Sequence, residues 1–141
     1  MTEARQSTCV AVGNRAILIE GAPGAGKSSL ALALIDRGAV LIGDDSVMLE
    51  AGNGRLVARP HPATRDLLEV RNLGLLPFPA GDEAPVALLL RLDREAPRFI
   101  EAAETAMICG IAVPQIRLWP DSPVLALRAE LALARYGMVP V

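Results

Sequence analysis

Aromatic side chains are scarce: one Trp, one Tyr and two Phe make up 3% of the 141 residues, so a core here has to be built from Leu, Val, Ile and Ala. An excess of basic charge is also missing. With 14 Lys and Arg against 16 Asp and Glu the net charge is −2, which provides no positive field to hold a phosphate backbone and argues against nucleic acid as a partner. Long apolar runs are absent too. The longest uncharged stretch, residues 105–116, is broken by Gly110 and Pro114 and falls well short of the ~20 residues of a membrane helix. The first residues are polar, with Glu3 and Arg5 and no apolar signal region, so the expected location is the cytoplasm. The two cysteines, Cys9 and Cys109, stand alone in apolar surroundings with no C-x-x-C spacing. They indicate neither a metal site nor a disulfide framework and read as small buried hydrophobes. No internal repeat and no low-complexity segment interrupts the chain.

What is present is 52% hydrophobic and 21% charged, the balance of a globular chain, and residues 1–141 are read as a single domain. The stretch Gly21-Ala22-Pro23-Gly24-Ala25-Gly26-Lys27-Ser28 fits the phosphate-cradling pattern G-x-x-x-x-G-K-[ST] at every position. The apolar run Ala16-Ile17-Leu18-Ile19 precedes it as a buried strand, and residues 29–37 follow with Leu30 and Leu34 at helical spacing. That is the strand, loop and helix context the pattern requires. The expected fold is therefore α/β, a phosphate-loop nucleotide-binding domain with a mixed β-sheet flanked by helices. Loop N–H groups and the positive helix end would cradle phosphates from Gly21 through Ser29, Lys27 would reach the β- and γ-phosphates, and Ser28 would complete the shell of a Mg²⁺.

Around this loop the chain reads as short strands. Residues 8–12 and 16–20 form a hairpin about Gly13-Asn14, Gly38 ends the first helix, and Val40-Leu41-Ile42 leads into Gly43-Asp44-Asp45. Two carboxylates thus stand at the carboxyl end of a strand, the edge where open α/β sheets bind ligands. Residues 47–50 and 56–59 read as a second hairpin, and residues 60–83, rich in Pro and Gly, as a loop with a short ordered piece. Residues 86–92 are a strand ending at Asp93, residues 98–110 fit helix or strand equally, and residues 113–119 are a strand. A final helix has Ser122 as N-cap, Pro123 at its first position, Gly137 as its stop and an inward face of Val124, Leu127 and Leu131.

Three acids compete to complete a metal site. Asp93 ends an apolar strand, as do many Mg²⁺-holding aspartates, while Asp44-Asp45 comes one helix and one strand after the loop and is the stronger candidate. Glu69 and Arg71, two residues apart, project to one side of an extended segment.

Taken together, Gly21 to Ser28, Arg37-Gly38, Leu41-Ile42-Gly43-Asp44-Asp45 and Leu68-Glu69-Val70-Arg71-Asn72-Leu73-Gly74-Leu75-Leu76 resemble, in order and spacing, the C-terminal catalytic domain of HPr kinase/phosphorylase. The likeness is to the short form found in α-proteobacteria and extends over residues 5–136. It implies an ATP- and Mg²⁺-dependent kinase that phosphorylates a serine of the phosphocarrier HPr and reverses the reaction with inorganic phosphate, assembled as a homo-oligomer, in the family a hexamer. By this resemblance Asp45 accepts the serine proton, Ser28 and Glu69 hold Mg²⁺ with Asp44 beside them, Lys27 binds phosphates, and Arg71 and Arg98 join the catalytic set. Residues 113–117 would match a loop linked to dephosphorylation.

The sequence departs from the family pattern at two places. In Gln6-Ser7-Thr8-Cys9-Val10 the family's active-site histidine is replaced by Gln6, and Asn72 stands where the signature has glycine. Gln6 donates hydrogen bonds but carries no proton charge; Asn72 tolerates the left-handed backbone a glycine would adopt. His61, the one histidine, lies between two prolines and reads as a solvated loop residue. Two other readings share the loop: a nucleotide-binding homologue that regulates without catalysis, and a small-molecule kinase, which the middle motif does not support.

Overall fold

The computed structural model describes residues 2–139. Its elements are β1 (Thr2–Arg5), β2 (Thr8–Val12), β3 (Arg15–Gly21), α1 (Lys27–Asp36), β4 (Val40–Gly43), β5 (Val47–Gly52), β6 (Arg55–Pro60), β7 (Leu67–Val70), β8 (Gly74–Pro77), β9 (Ala84–Leu92), β10 (Glu104–Ile108), β11 (Ile111–Leu118) and α2 (Leu125–Tyr136). The main sheet runs β1-β5-β6-β9-β3-β2-β4, with β11 attached to β9 and β10 to β11. Among the strand pairs of this sheet, β3–β9 and β9–β11 are parallel and the others antiparallel, and a single parallel bridge joins Leu41 to Ala80. The sheet is mixed, as expected.

β3 and β9 are apolar along nearly their whole length because both of their faces are covered. Ile17, Ile19, Leu88 and Leu90 pack against Leu30, Leu34, Leu125, Ala129 and Leu133 of the two helices. Leu18 and Leu89 point the other way, into a second cluster with Ile42, Val47, Leu49, Leu56, Ile108 and Val113. The sheet therefore curls so that β5, β6, β10 and β11 close over the face that the helices leave bare. Cys9 belongs to this second cluster, and burial pushes its thiol pKa up. Cys109 does not fit the buried reading: it occupies the left-handed turn between β10 and β11, half-buried, and its thiol donates to Glu3 Oε1 at 3.1 Å.

Several local expectations change. Residues 60–83 hold a full hairpin, β7 against β8, rather than one ordered piece. Its Leu68 is buried against the α1 side of the core, and Asn72 at φ 74° takes the left-handed turn position. The ambiguous stretch before Gly110 resolves as strand β10. Residues 113–117 are not a loop; they form the middle of β11, bonded to β10 on one side and β9 on the other.

The last helix begins two residues later than Ser122 predicts. Val124 is its N-cap position, and the Ser122 hydroxyl accepts the Val124 N–H at 3.2 Å in the turn before it. Its inward face is also a different one: Leu125, Ala129, Ala132 and Leu133 are buried, while Val124, Leu127 and Leu131 are exposed. Both sets recur at helical spacing, and the alanine-bearing set lets the helix approach the sheet more closely. An ion pair between Arg37 and Glu130 at 2.9 Å ties α2 to the end of α1.

Candidate active site

The phosphate loop connects β3 to α1, with Gly26 at φ 105° as the helix N-cap position. No side chain caps this end, so the first N–H groups of α1 face the ligand edge. Lys27 Nζ donates to the carbonyls of Gly21 at 2.9 Å and Ala22 at 3.4 Å, within its own loop. Ser28 Oγ donates to Asp44 Oδ1 at 2.7 Å.

Asp44 and Asp45 follow β4 through a tight turn. A Cβ at Gly43 would overlap the carbonyl oxygen of Ser46, so glycine is required there by close approach. Asp44 turns inward: besides Ser28 it accepts Thr8 Oγ1 at 3.1 Å, and its Oδ2 accepts the Glu69 N–H at 2.9 Å. Asp45, in the left-handed region at φ 63°, faces outward and is exposed, with the Gln6 amide donating to its Oδ1 at 3.4 Å. The two adjacent acids thus have opposite surroundings.

Gln6, Thr8, Gly26, Lys27, Ser28, Asp44 and Asp45 line one cleft of about 560 Å³, together with Pro23, Gly24, Ser29, Glu69, Arg71 and the rim residues Ala63, Thr64, Leu67 and Leu75, whereas Gly21, Ala22 and Ala25 of the loop do not line it. Glu69 and Arg71 reach the same cleft, as their spacing predicts. Thr64 Oγ1 is buried without a hydrogen-bond partner, the kind of group that a polar ligand satisfies. Among the described residues no group of three or more His, Cys, Asp and Glu could hold a metal unaided. One hydroxyl and one or two carboxylates beside a phosphate loop nevertheless suit Mg²⁺, which takes few protein ligands and shares phosphate oxygens.

Two predicted residues lie elsewhere. Arg98 is exposed on the segment after β9 and does not line the cleft. The turn at Asp93, closed by the Ala96 N–H on the Asp93 carbonyl and the Trp119 indole on the Ala96 carbonyl, carries the chain toward β11 instead. Asp93 itself binds Arg117 at 3.0 Å and lines a separate groove of about 480 Å³ with Glu104. The Glu95 N–H, then Arg117, hold its carboxyl below the usual carboxylate range. His61 Nδ1 accepts the Ala63 N–H, consistent with a loop residue.

Sequence reasoning missed two features. Thr8 was legible as a strand residue and as part of the motif around Gln6, with no role of its own, yet its hydroxyl touches both acids. Glu20, at the end of β3, is 8% exposed and receives both Arg5 nitrogens at 2.6 and 3.0 Å and Arg91 at 3.4 Å. This raises the Arg5 pKa further and binds β1 and β9 to the strand that carries the loop. A polar residue just before the loop was the available signal.

Comparison with known proteins points to one family. The family model described as "HPr Serine kinase C-terminal domain" matches residues 1–80, a span that contains every residue lining the cleft. The HPr kinase/phosphorylase of Mycoplasma mycoides subsp. mycoides SC is 34% identical over 83 residues, 54% of this chain and 26% of that protein. The one from Neisseria meningitidis serogroup C is 54% identical over 61 residues, 43% of this chain and 19% of that protein. The matched region is thus about a quarter or less of these relatives' length. The solved structure of the Hpr(Ser) kinase/phosphatase from Coxiella burnetii shares the fold, with a TM-score of 0.82 at 24% identity over 94% of each chain. With the family model covering more than half of the residues and the cleft built from that same half, the chain belongs to the HPr serine kinase C-terminal domain family.

Proposed function

We propose that this chain is an ATP- and Mg²⁺-dependent serine kinase acting on an HPr-type phosphocarrier protein, with reversal by inorganic phosphate as its second direction. The observation that carries the reading is the division of labour between neighbouring acids: Asp44 is turned onto Ser28, and Asp45 is turned out into the cleft. Loop N–H groups and Lys27 bind the phosphates of ATP. Ser28, Asp44 and Glu69 would hold Mg²⁺, which when bound neutralises charge on the β- and γ-phosphates. Asp45 accepts the proton of the acceptor serine as its Oγ bonds to the γ-phosphorus and ADP leaves. Arg71, also in the cleft, offers a guanidinium to the transferring group. The active assembly is read as a homo-oligomer, in line with the hexamer that the family resemblance implies, and sedimentation of the purified chain tests this.

The direct test is incubation with labelled ATP and purified HPr. Label should appear on HPr serine, and when unlabelled inorganic phosphate is added it should pass to pyrophosphate as the phosphate oxygen bonds to the phosphorus and the serine hydroxyl is regenerated. ATP binding without transfer would instead favour a regulatory nucleotide-binding homologue, the reading that Gln6 in place of histidine supports. The uncharged Gln6 amide donates to Asp45 Oδ1 while Asp45 and Lys27, with Mg²⁺ bound, carry the forward step, so the forward direction should persist. Reversal brings inorganic phosphate beside phosphoserine, where a charged imidazole would offset repulsion and an amide cannot. Gln6→His is expected to raise phosphorolysis proportionally more than kinase activity, with the larger gain toward acidic pH. Equal gains in both directions would contradict this role for position 6.

A further inference from the structure

Ser7 and Thr8 are neighbours with buried hydroxyls, 2% and 1% exposed, but their partners differ. Ser7 Oγ, between β1 and β2, donates to the backbone carbonyls of Thr8 and Ile19, an ordinary arrangement for a buried hydroxyl. Thr8 Oγ1 instead donates to Asp44 Oδ1 at 3.1 Å and accepts the Asp45 N–H at 3.3 Å. A hydroxyl has one proton and two lone pairs, so one Thr side chain can serve both partners together.

Each contact fixes something different. Asp44 Oδ1 also receives Ser28 and its Oδ2 receives the Glu69 N–H, so the Thr8 proton is the third restraint on that carboxylate. Asp45 sits at φ 63°, a backbone region that Asp enters more readily than most residues but that still costs energy for a side chain with a Cβ. The Thr8 oxygen supplies a hold from the far side of the turn. We propose that Thr8 is a positioning residue that couples the two acids of the cleft, its single hydroxyl locking the Asp44 carboxylate toward Ser28 and the Asp45 backbone in the conformation that presents its carboxylate to the acceptor. The inference rests on the kinase reading above only for the roles of the two acids.

Thr8→Val keeps the shape and removes the hydroxyl, and Thr8→Ser keeps the hydroxyl. Two measurements are made on the full chain: steady-state phosphorylation of HPr, and amide hydrogen exchange of Asp45 by NMR without nucleotide. In Thr8→Val, kcat should fall roughly tenfold or more, with KM for ATP within about twofold, since displacements near 1 Å cost rates of this order. The Asp45 amide should exchange roughly tenfold faster or more, while the Leu18 and Leu89 amides keep their protection. Thr8→Ser should restore both. If the extra methyl opens the core, Thr8→Ala takes the place of the valine variant. An Asp45 amide as protected as in the parent, or a serine variant no better than valine, overturns the proposal. The exchange readout needs neither ATP nor acceptor, so a parent chain without transferase activity would refute the kinase reading while the coupling by Thr8 is still decided.

Discussion

Lys27 spends its hydrogen bonds on carbonyls of its own loop, Gly21 and Ala22, partners that a phosphate oxygen outcompetes as a charged acceptor. Lys27→Ala should therefore lower ATP affinity by roughly tenfold or more, read by isothermal titration; unchanged affinity would contradict the nucleotide site itself. Asp45→Asn should leave ATP binding near the parent value and slow transfer by roughly 10²-fold, the scale of a lost general base. Asp93→Asn is the control, because Asp93 is committed to Arg117 outside the cleft. Transfer lost in that variant instead would move the metal acid to β9. At this scale legibility followed contiguity. The loop and the Asp44-Asp45 pair were readable because each is a continuous string, whereas Thr8 and Glu20 acquire meaning from partners 36 and 15 residues away. Arg98 lies outside the cleft lining, at a place that depends on a turn held by Trp119 rather than on its own neighbours in sequence.

Among the elements, the turn from β4 to β5 does most to aim the site, and its tolerance is narrow. A methyl at Gly43 must push against the Ser46 carbonyl, which should cost about 1–3 kcal/mol and displace the acids that follow. Urea denaturation of Gly43→Ala checks the first effect, and transfer rate the second. The hairpin of β7 and β8 depends on Asn72 at φ 74°. Asn72→Ala should destabilise by about 1 kcal/mol while Asn72→Gly should not, since only the Cβ-bearing replacement without a compensating polar group is strained there. A lower midpoint for the glycine variant would show that the asparagine side chain matters in another way. The hairpin itself was hard to read because four-residue strands, exposed Leu73 and Leu75 and flanking prolines hide any alternation. In α2 the difficulty was the opposite: two apolar stripes are present, and which one faces inward is decided by how closely the helix can approach β9 and β11.

Across the whole molecule, folding depresses carboxyl titration where β9, β10 and β11 meet, and stability there should depend on pH. Asp93 and Glu104 share Arg117, and both carboxyls are held below their ordinary values of 3.8 and 4.5, Asp93 by the Glu95 N–H and then Arg117, Glu104 by Gln115 and then Arg117. A carboxyl depressed by folding stabilises above its unfolded value and loses that contribution as pH falls through its folded one. Arg117→Gln should thus be less stable than the parent at neutral pH, and the gap should close as pH drops below about 4. A gap unchanged down to acidic pH would show that Arg117 acts by packing alone.

The pairing of β3 with β9 has a consequence for how the chain comes off the ribosome. The family-defining residues 1–80 contain the entire cleft, but the strand that carries the phosphate loop finds one of its two neighbours only in residues 84–92. A nascent chain that has emerged through its last cleft residue still has an open edge along β3 and a Leu18 whose cluster lacks Leu89, Ile108 and Val113, so binding competence should arrive late in synthesis, after β9 has cleared the exit tunnel.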